Sequence, residues 1–169
     1  MAAPKQTVVT KTQYHVYEEA PITAGNAPYP GFLMAWGGTT SPTLSINTVP
    51  GASCLVATED ENQGKTIDDI YTAGSRLVAK YLAVGDMFVG YVVAGLAVTA
   101  GDLLTSDGTG KVGALLSSVA GVYASVSATN GASSMVIRQL ASAQLLLRAE
   151  ASLTNVATER RIIFRVLRA

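Results

Sequence analysis

Asp102-Leu-Leu-Thr-Ser-Asp-Gly-Thr-Gly-Lys-Val112 is the stretch on which the fold class turns. Two short β-favouring runs flank Asp107-Gly108, a pair that supplies the positive φ angles of a tight turn, and Gly110 follows as a bulge former. The stretch therefore reads as a β-hairpin. Outward from it, the same texture repeats. Short apolar runs are punctuated by Gly-Gly, Pro-Gly, Val-Gly-Asp, Ala-Gly-Asp, Asp-Gly and Asn-Gly, each a turn former. The expected strands are Phe32–Trp36, Thr43–Asn47, Ser53–Ala57, Leu77–Leu82, Met87–Val93, Asp102–Ser106, Lys111–Leu115, Gly121–Val126, Ser134–Gln139 and Arg161–Leu167. Many short strands joined by Gly-rich turns predict a mainly β chain, a compact β-clip or β-barrel-like domain. At most two short helices fit. Thr66–Ala73 has capping-box-like spacing at Thr66 and Asp69 with Gly74 at its stop. Ala141–Glu150 reads equally as helix or strand through Leu145-Leu146-Leu147.

The first thirty residues differ. Thr7–Val9 and Tyr14–Tyr17 are short β-favouring runs, and Pro21–Gly31 holds three prolines and two glycines. Such a stretch forms neither a regular helix nor a central strand. Residues 1–30 are expected to be an extended arm, and residues 31–169 a single β-rich domain.

Composition narrows the chemistry. Twelve Lys+Arg balance twelve Asp+Glu, and only 14% of residues are charged, against roughly 25% in an ordinary soluble domain. A neutral chain has no bulk charge to drive binding to nucleic acid or to an anionic membrane. One Cys and one His leave no internal disulfide, multi-cysteine metal site or two-histidine metal site. The most apolar stretch, Leu77–Ala100, is interrupted by Lys80 and Asp86, and its uncharged part, Met87–Ala100, is 14 residues, short of the ~20 a spanning helix needs. The opening residues lack a signal-peptide core, and Ala2 excludes the myristoylation signal. So few charges point to a surface buried against partners.

Three enzyme-like patterns fail on context. Gly64-Lys65-Thr66 resembles the end of a P-loop, but Glu59 stands where the loop needs Gly. Gly108–Gly113 matches G-x-G-x-x-G inside a hairpin rather than after a parallel strand. Glu59-Asp60-Glu61 and Asp68-Asp69 form an acidic cluster without EF-hand spacing. No metal or cofactor is assigned, and no catalytic set is found. Charge placement says more. Residues 59–69 hold five acids against Lys65, and residues 138–169 hold six arginines against Glu150 and Glu159. Glu59, Asp60, Glu61, Asp68 and Asp69 are therefore candidate pairing partners for Arg160, Arg161 and Arg165, between copies or with a patterned neighbour.

Two segments resemble the head decoration, or capsid cement, proteins of tailed bacteriophages. One is Glu61-Asn-Gln-Gly-Lys-Thr-Ile-Asp-Asp-Ile-Tyr-Thr-Ala-Gly-Ser-Arg76 with Val84-Gly-Asp-Met-Phe-Val-Gly90. The other is Ala97-Val-Thr-Ala-Gly-Asp-Leu-Leu-Thr-Ser-Asp-Gly-Thr-Gly-Lys-Val112. The closing strand Arg161–Leu167 fits as well. The resemblance implies a non-enzymatic structural protein on the outer surface of a phage head, assembled in the bacterial cytoplasm. It further implies a homo-oligomer, commonly a trimer, that clamps neighbouring major capsid protein subunits, with no nucleic acid or membrane partner. On that reading Thr7, Val8, Val9, Tyr14 and Tyr17 are candidate shell-contacting arm residues. Leu77, Tyr81, Met87, Phe88, Val89 and Tyr91 are candidate oligomer-interface residues. A β-clip ligand-binding module and a tail or head–tail component are the alternatives.

Overall fold

The computed structural model of the chain describes residues 7–12, 16–37, 42–50, 55–60, 66–115, 123–126, 137–140, 145–154 and 160–169. Among these residues all regular structure is strand: β1 (Val9–Lys11), β2 (Tyr17–Pro21), β3 (Leu33–Gly37), β4 (Thr43–Ile46), β5 (Leu55–Ala57), β6 (Arg76–Tyr81), β7 (Met87–Val92), β8 (Leu103–Ser106), β9 (Val112–Ala114), β10 (Tyr123–Val126), β11 (Ile137–Leu140), β12 (Leu146–Ala149) and β13 (Arg160–Arg168).

One sheet runs β1-β7-β13-β12-β8-β9 and closes on itself through a β7–β9 pairing. β7 makes this possible because one of its edges is shared. β1 pairs at Met87 and Phe88, and β9 pairs in parallel at Val92. The result is a five-stranded barrel with β1 as an added strand. Its strands alternate as a barrel wall requires. In β7 the buried positions are Phe88, Gly90 and Val92, and in β13 Ile162, Phe164 and Val166 point inward. Phe88 and Phe164 are directly opposite, with ring centroids 5.7 Å apart. Gly90 sits beside them because any Cβ there would lie 2.8 Å from the Phe88 ring.

A second sheet runs β2-β6-β5-β3-β4. Its outer strands meet through a parallel Ile22–Leu44 bridge and the bond from Thr23 N–H to Leu44 O, 2.9 Å. β3 and β5 lie between two cores, which explains why they lack alternation. Leu33 and Val56 pack in the barrel core, whereas Met34, Leu55 and Ala57 pack in the second. A strand buried on both faces reads as a continuous apolar run.

The hairpin that sets the fold class also locks the two sheets together. β8 and β9 pair from Leu104↔Ala114 to Ser106↔Val112, so Asp107–Lys111 form a five-residue loop rather than a two-residue turn. The Asp107 carboxylate accepts from Thr109 N–H at 2.8 Å and Lys111 N–H at 3.1 Å. Gly110 donates to Asn47 O and accepts from Leu33 N–H. A Cβ at Gly110 would stand 2.6 Å from Ile46 Cγ2, at φ +80°.

One expectation is corrected. Residues 66–73 are a turn, not a helix. Asp69 does accept from Thr66 N–H at 2.7 Å and from its hydroxyl at 2.8 Å, the capping chemistry expected. No helix follows because Ile67 is buried in the barrel core and Tyr71 in the second core. On a helix those two residues would share one face. The described part of residues 7–30, expected as an extended arm, is tied to the body. Tyr17–Pro21 pairs along β6, Val8 is fully buried, and Ile22, Pro28 and Pro30 are buried in turn. The prolines and glycines shape an ordered crossing rather than loosening it. Of Ala141–Glu150, Leu146–Ala149 is strand β12, while residues 141–144 lie outside the described residues.

Candidate docking surface

β3 and β6 aim alternate residues into the second core: Met34 then Trp36, and Leu77, Ala79 then Tyr81. The core runs out at the end of the sheet. Trp36 and Tyr81 therefore continue the inward face while remaining 42% and 40% exposed. The Trp36 indole N–H donates to the Tyr81 hydroxyl at 2.8 Å, which fixes both rings. Tyr81 N–H donates to Val16 O at 3.0 Å, and Val84 stands three residues on, in the turn before β7. Val16 and Val84 are both exposed. Aromatic rings held in place beside exposed aliphatic side chains are the usual make-up of a protein-binding surface.

A cleft of about 370 Å³ is lined by Thr7, Val9, Tyr17, Thr58, Glu59, Asp60 and Val78. The Glu59 carboxylate accepts from Val8 N–H at 3.0 Å and from the Thr7 hydroxyl, so it tethers the chain leading into β1. Burial, then the charges of Glu59 and Asp86, pushes the Tyr17 hydroxyl above its ordinary pKa. Tyr71 is pushed up further by burial and by Asp60. Its hydroxyl donates to Thr58 O at 2.7 Å.

Of the expected charge pairs, one forms within the chain, and the other arginines take different partners. Arg161 pairs with Asp68, donates to Ile67 O at 3.0 Å and lies 5.1 Å from the Tyr91 ring centroid. Arg165 and Arg148 converge on Glu150 Oε1 at 2.7 and 2.8 Å. Together they hold the Glu150 carboxyl below the usual carboxylate range. Asp69 is spent on the Thr66 turn. Arg160 is exposed at the start of β13, and Glu61 lies outside the described residues.

The other expected site residues divide. Leu77 and Phe88 are at most 1% exposed, so they belong to the two cores and not to an oligomer interface. Tyr91 is half-buried, packed on Phe32 and Tyr29 at ring separations of 5.0 and 5.9 Å. Met87 and Val89 are half-buried on β7, Val89 against the barrel core, and Tyr81 is exposed. Of the arm set, Val8 is core, Thr7 and Val9 line the cleft, and Tyr17 is exposed over it. Tyr14 lies outside the described residues, as do His15 and Cys54. Sequence reading missed Trp36, Val16 and Val84. The available signal was Trp36 alternating with Met34 in a run already read as strand.

Among the described residues no group of three His, Cys, Asp or Glu is arranged to hold a metal ion. There too, no helix is long and apolar enough to cross a membrane. No protein-family model and no curated protein matches the chain.

Proposed function

We propose that the protein is a capsid cement protein, an oligomer that docks on the outside of a phage head and holds major capsid subunits together. The resemblance of residues 61–90 and 97–112 to that family supplies the identity of the partner. The observation that carries a docking role is the Trp36–Tyr81 pair, two exposed rings fixed to one another where the second core runs out. The mechanism is mass action. A protein that binds only the assembled shell stabilises that state by its binding free energy, repeated over many sites. Melting heads with and without saturating protein tests this directly. Decorated heads are expected to melt at the higher temperature, and equal melting temperatures would remove the stabilising role.

A further inference from the structure

The outer wall of the barrel carries a cross-strand row that runs past the Glu150 ion pairs on both sides. Leu103 is opposite Arg148, Arg148 is opposite Arg165, and Arg165 is opposite Met87. Directly opposed residues share a face. Their neighbours Leu104, Leu147, Phe164 and Phe88 fill the barrel core, so the row points outward. Leu103 is 48% exposed, and the Arg148 and Arg165 side chains are 42% and 32% exposed. Two arginines share the single carboxylate of Glu150, so this face keeps a positive excess. Arginine beside exposed Leu and Met is interface composition.

The cleft on the far side of β7 and β1 has the opposite character. Glu59 lines it half-buried and Asp60 lies deeper, and the described lining residues include no Lys or Arg. Tyr17 offers a ring at its rim, and Val9 and Val78 offer apolar wall. A guanidinium is recognised by such a set: its plane stacks on the ring, its N–H groups meet carboxylate, and its stem lies on the valines. Leu103, at the far end of the row, is separated from β1 by the widths of β12, β13 and β7.

We propose that copies of this chain associate head to tail, the Leu103–Arg148–Arg165 face of one seating on the Tyr17–Glu59 cleft of the next. The charge complementarity of the two faces selects a second copy as the occupant. Joining two different surfaces is a heterologous contact, which closes into a ring when the rotation permits. The inference rests on the oligomeric reading above and names the surfaces that would produce it.

Native mass measurement on four proteins tests it: wild type, Arg148→Glu, Glu59→Arg, and the double variant, each checked for an unchanged β-rich circular dichroism spectrum. Wild type is expected as a closed oligomer. Each single variant is expected to dissociate, with affinity weakened about a hundred-fold, and the double variant to reassemble because the charges are exchanged across the contact. Should either single variant fail to fold, Leu103→Glu breaks the same contact from a position exposed to solvent. Single variants that keep the wild-type mass, or a double variant that stays monomeric, would overturn the head-to-tail contact alone. A monomeric wild type would overturn the oligomeric reading along with it.

Discussion

Lys80 and Asp86 form an ion pair inside the protein, their side chains 0% and 1% exposed. Lys80 lies on β6 of the second sheet, and Asp86 ends the turn that leads into β7 of the barrel. Lys80 Nζ also donates to Tyr81 O at 2.8 Å, and Asp86 Oδ2 accepts from Ala83 N–H at 2.9 Å. The backbone around Asp86 is bound to β13 in both directions, Gly85 N–H to Val166 O at 2.8 Å and Val166 N–H to Asp86 O at 2.9 Å. Two charges thus pin the crossing between sheets.

Removing one partner strands the other charge in the interior. Lys80→Met or Asp86→Asn is expected to cost about 3–5 kcal/mol in urea unfolding. The double variant Lys80→Met/Asp86→Asn is expected to be more stable than the sum of the two losses implies, because no buried charge is left without its partner. Simple additivity would show that the two residues act separately.

Gly110 and Gly101 separate strain from crowding. Both have positive φ, +80° and +98°, but a Cβ at Gly101 meets nothing within 4 Å. Gly101→Ala is expected to cost roughly 1 kcal/mol of backbone strain. Gly110→Ala adds a clash with Ile46 and opens the junction between the sheets, so its loss is expected to exceed about 2 kcal/mol. Equal midpoints for the two variants would show that the loop does not bear on that junction.

Two groups are expected to make stability depend on pH from opposite sides. Glu150 has a lowered folded-state pKa through Arg165 and Arg148. Its contribution is present above the unfolded value of about 4.3 and is lost as pH falls through the folded value. Glu150→Gln is expected to be less stable than wild type near neutrality, with the gap closing in acid. Tyr71 has a raised folded-state pKa, so its contribution is present below the unfolded value of about 10 and is lost as pH rises beyond it. Tyr71→Phe is expected to flatten the alkaline limb and to cost about 1 kcal/mol at neutral pH through the lost bond to Thr58 O. Unfolding midpoints across pH check both.

Trp36→Ala is expected to weaken shell binding by about 2 kcal/mol or more, roughly thirty-fold, with a smaller change in unfolding free energy. Val49→Ala is the control. Val49 is 58% exposed and follows the opposite end of the β3–β4 pair, so its loss is expected to leave binding unchanged. Titrating labelled protein onto undecorated heads compares the two. Equal affinities would show that the Trp36 end is not the docking surface.

Strand existence and class were legible because they are local. Alternation in Met87–Val92, the Gly-Asp turns before β7 and β8, and the Asp107 loop each declare themselves within a few residues, since pleat and turn chemistry act at that range. Each of the ten expected strands overlaps one found. What the sequence could not declare was destination. Leu77, Phe88 and Val8 look like exposed apolar faces in one dimension. They are core because strands distant in the chain close over them. Ile67 and Tyr71 carry helix spacing, yet two separate cores claim them. Asp68 and Arg161 stand 93 positions apart, and only the approach of the 66–71 turn to β13 makes them a pair within one chain. The low charge and β texture of this protein were determined by its residues alone. Which residues face outward was decided by packing, because burial is a property of what arrives from elsewhere in the chain.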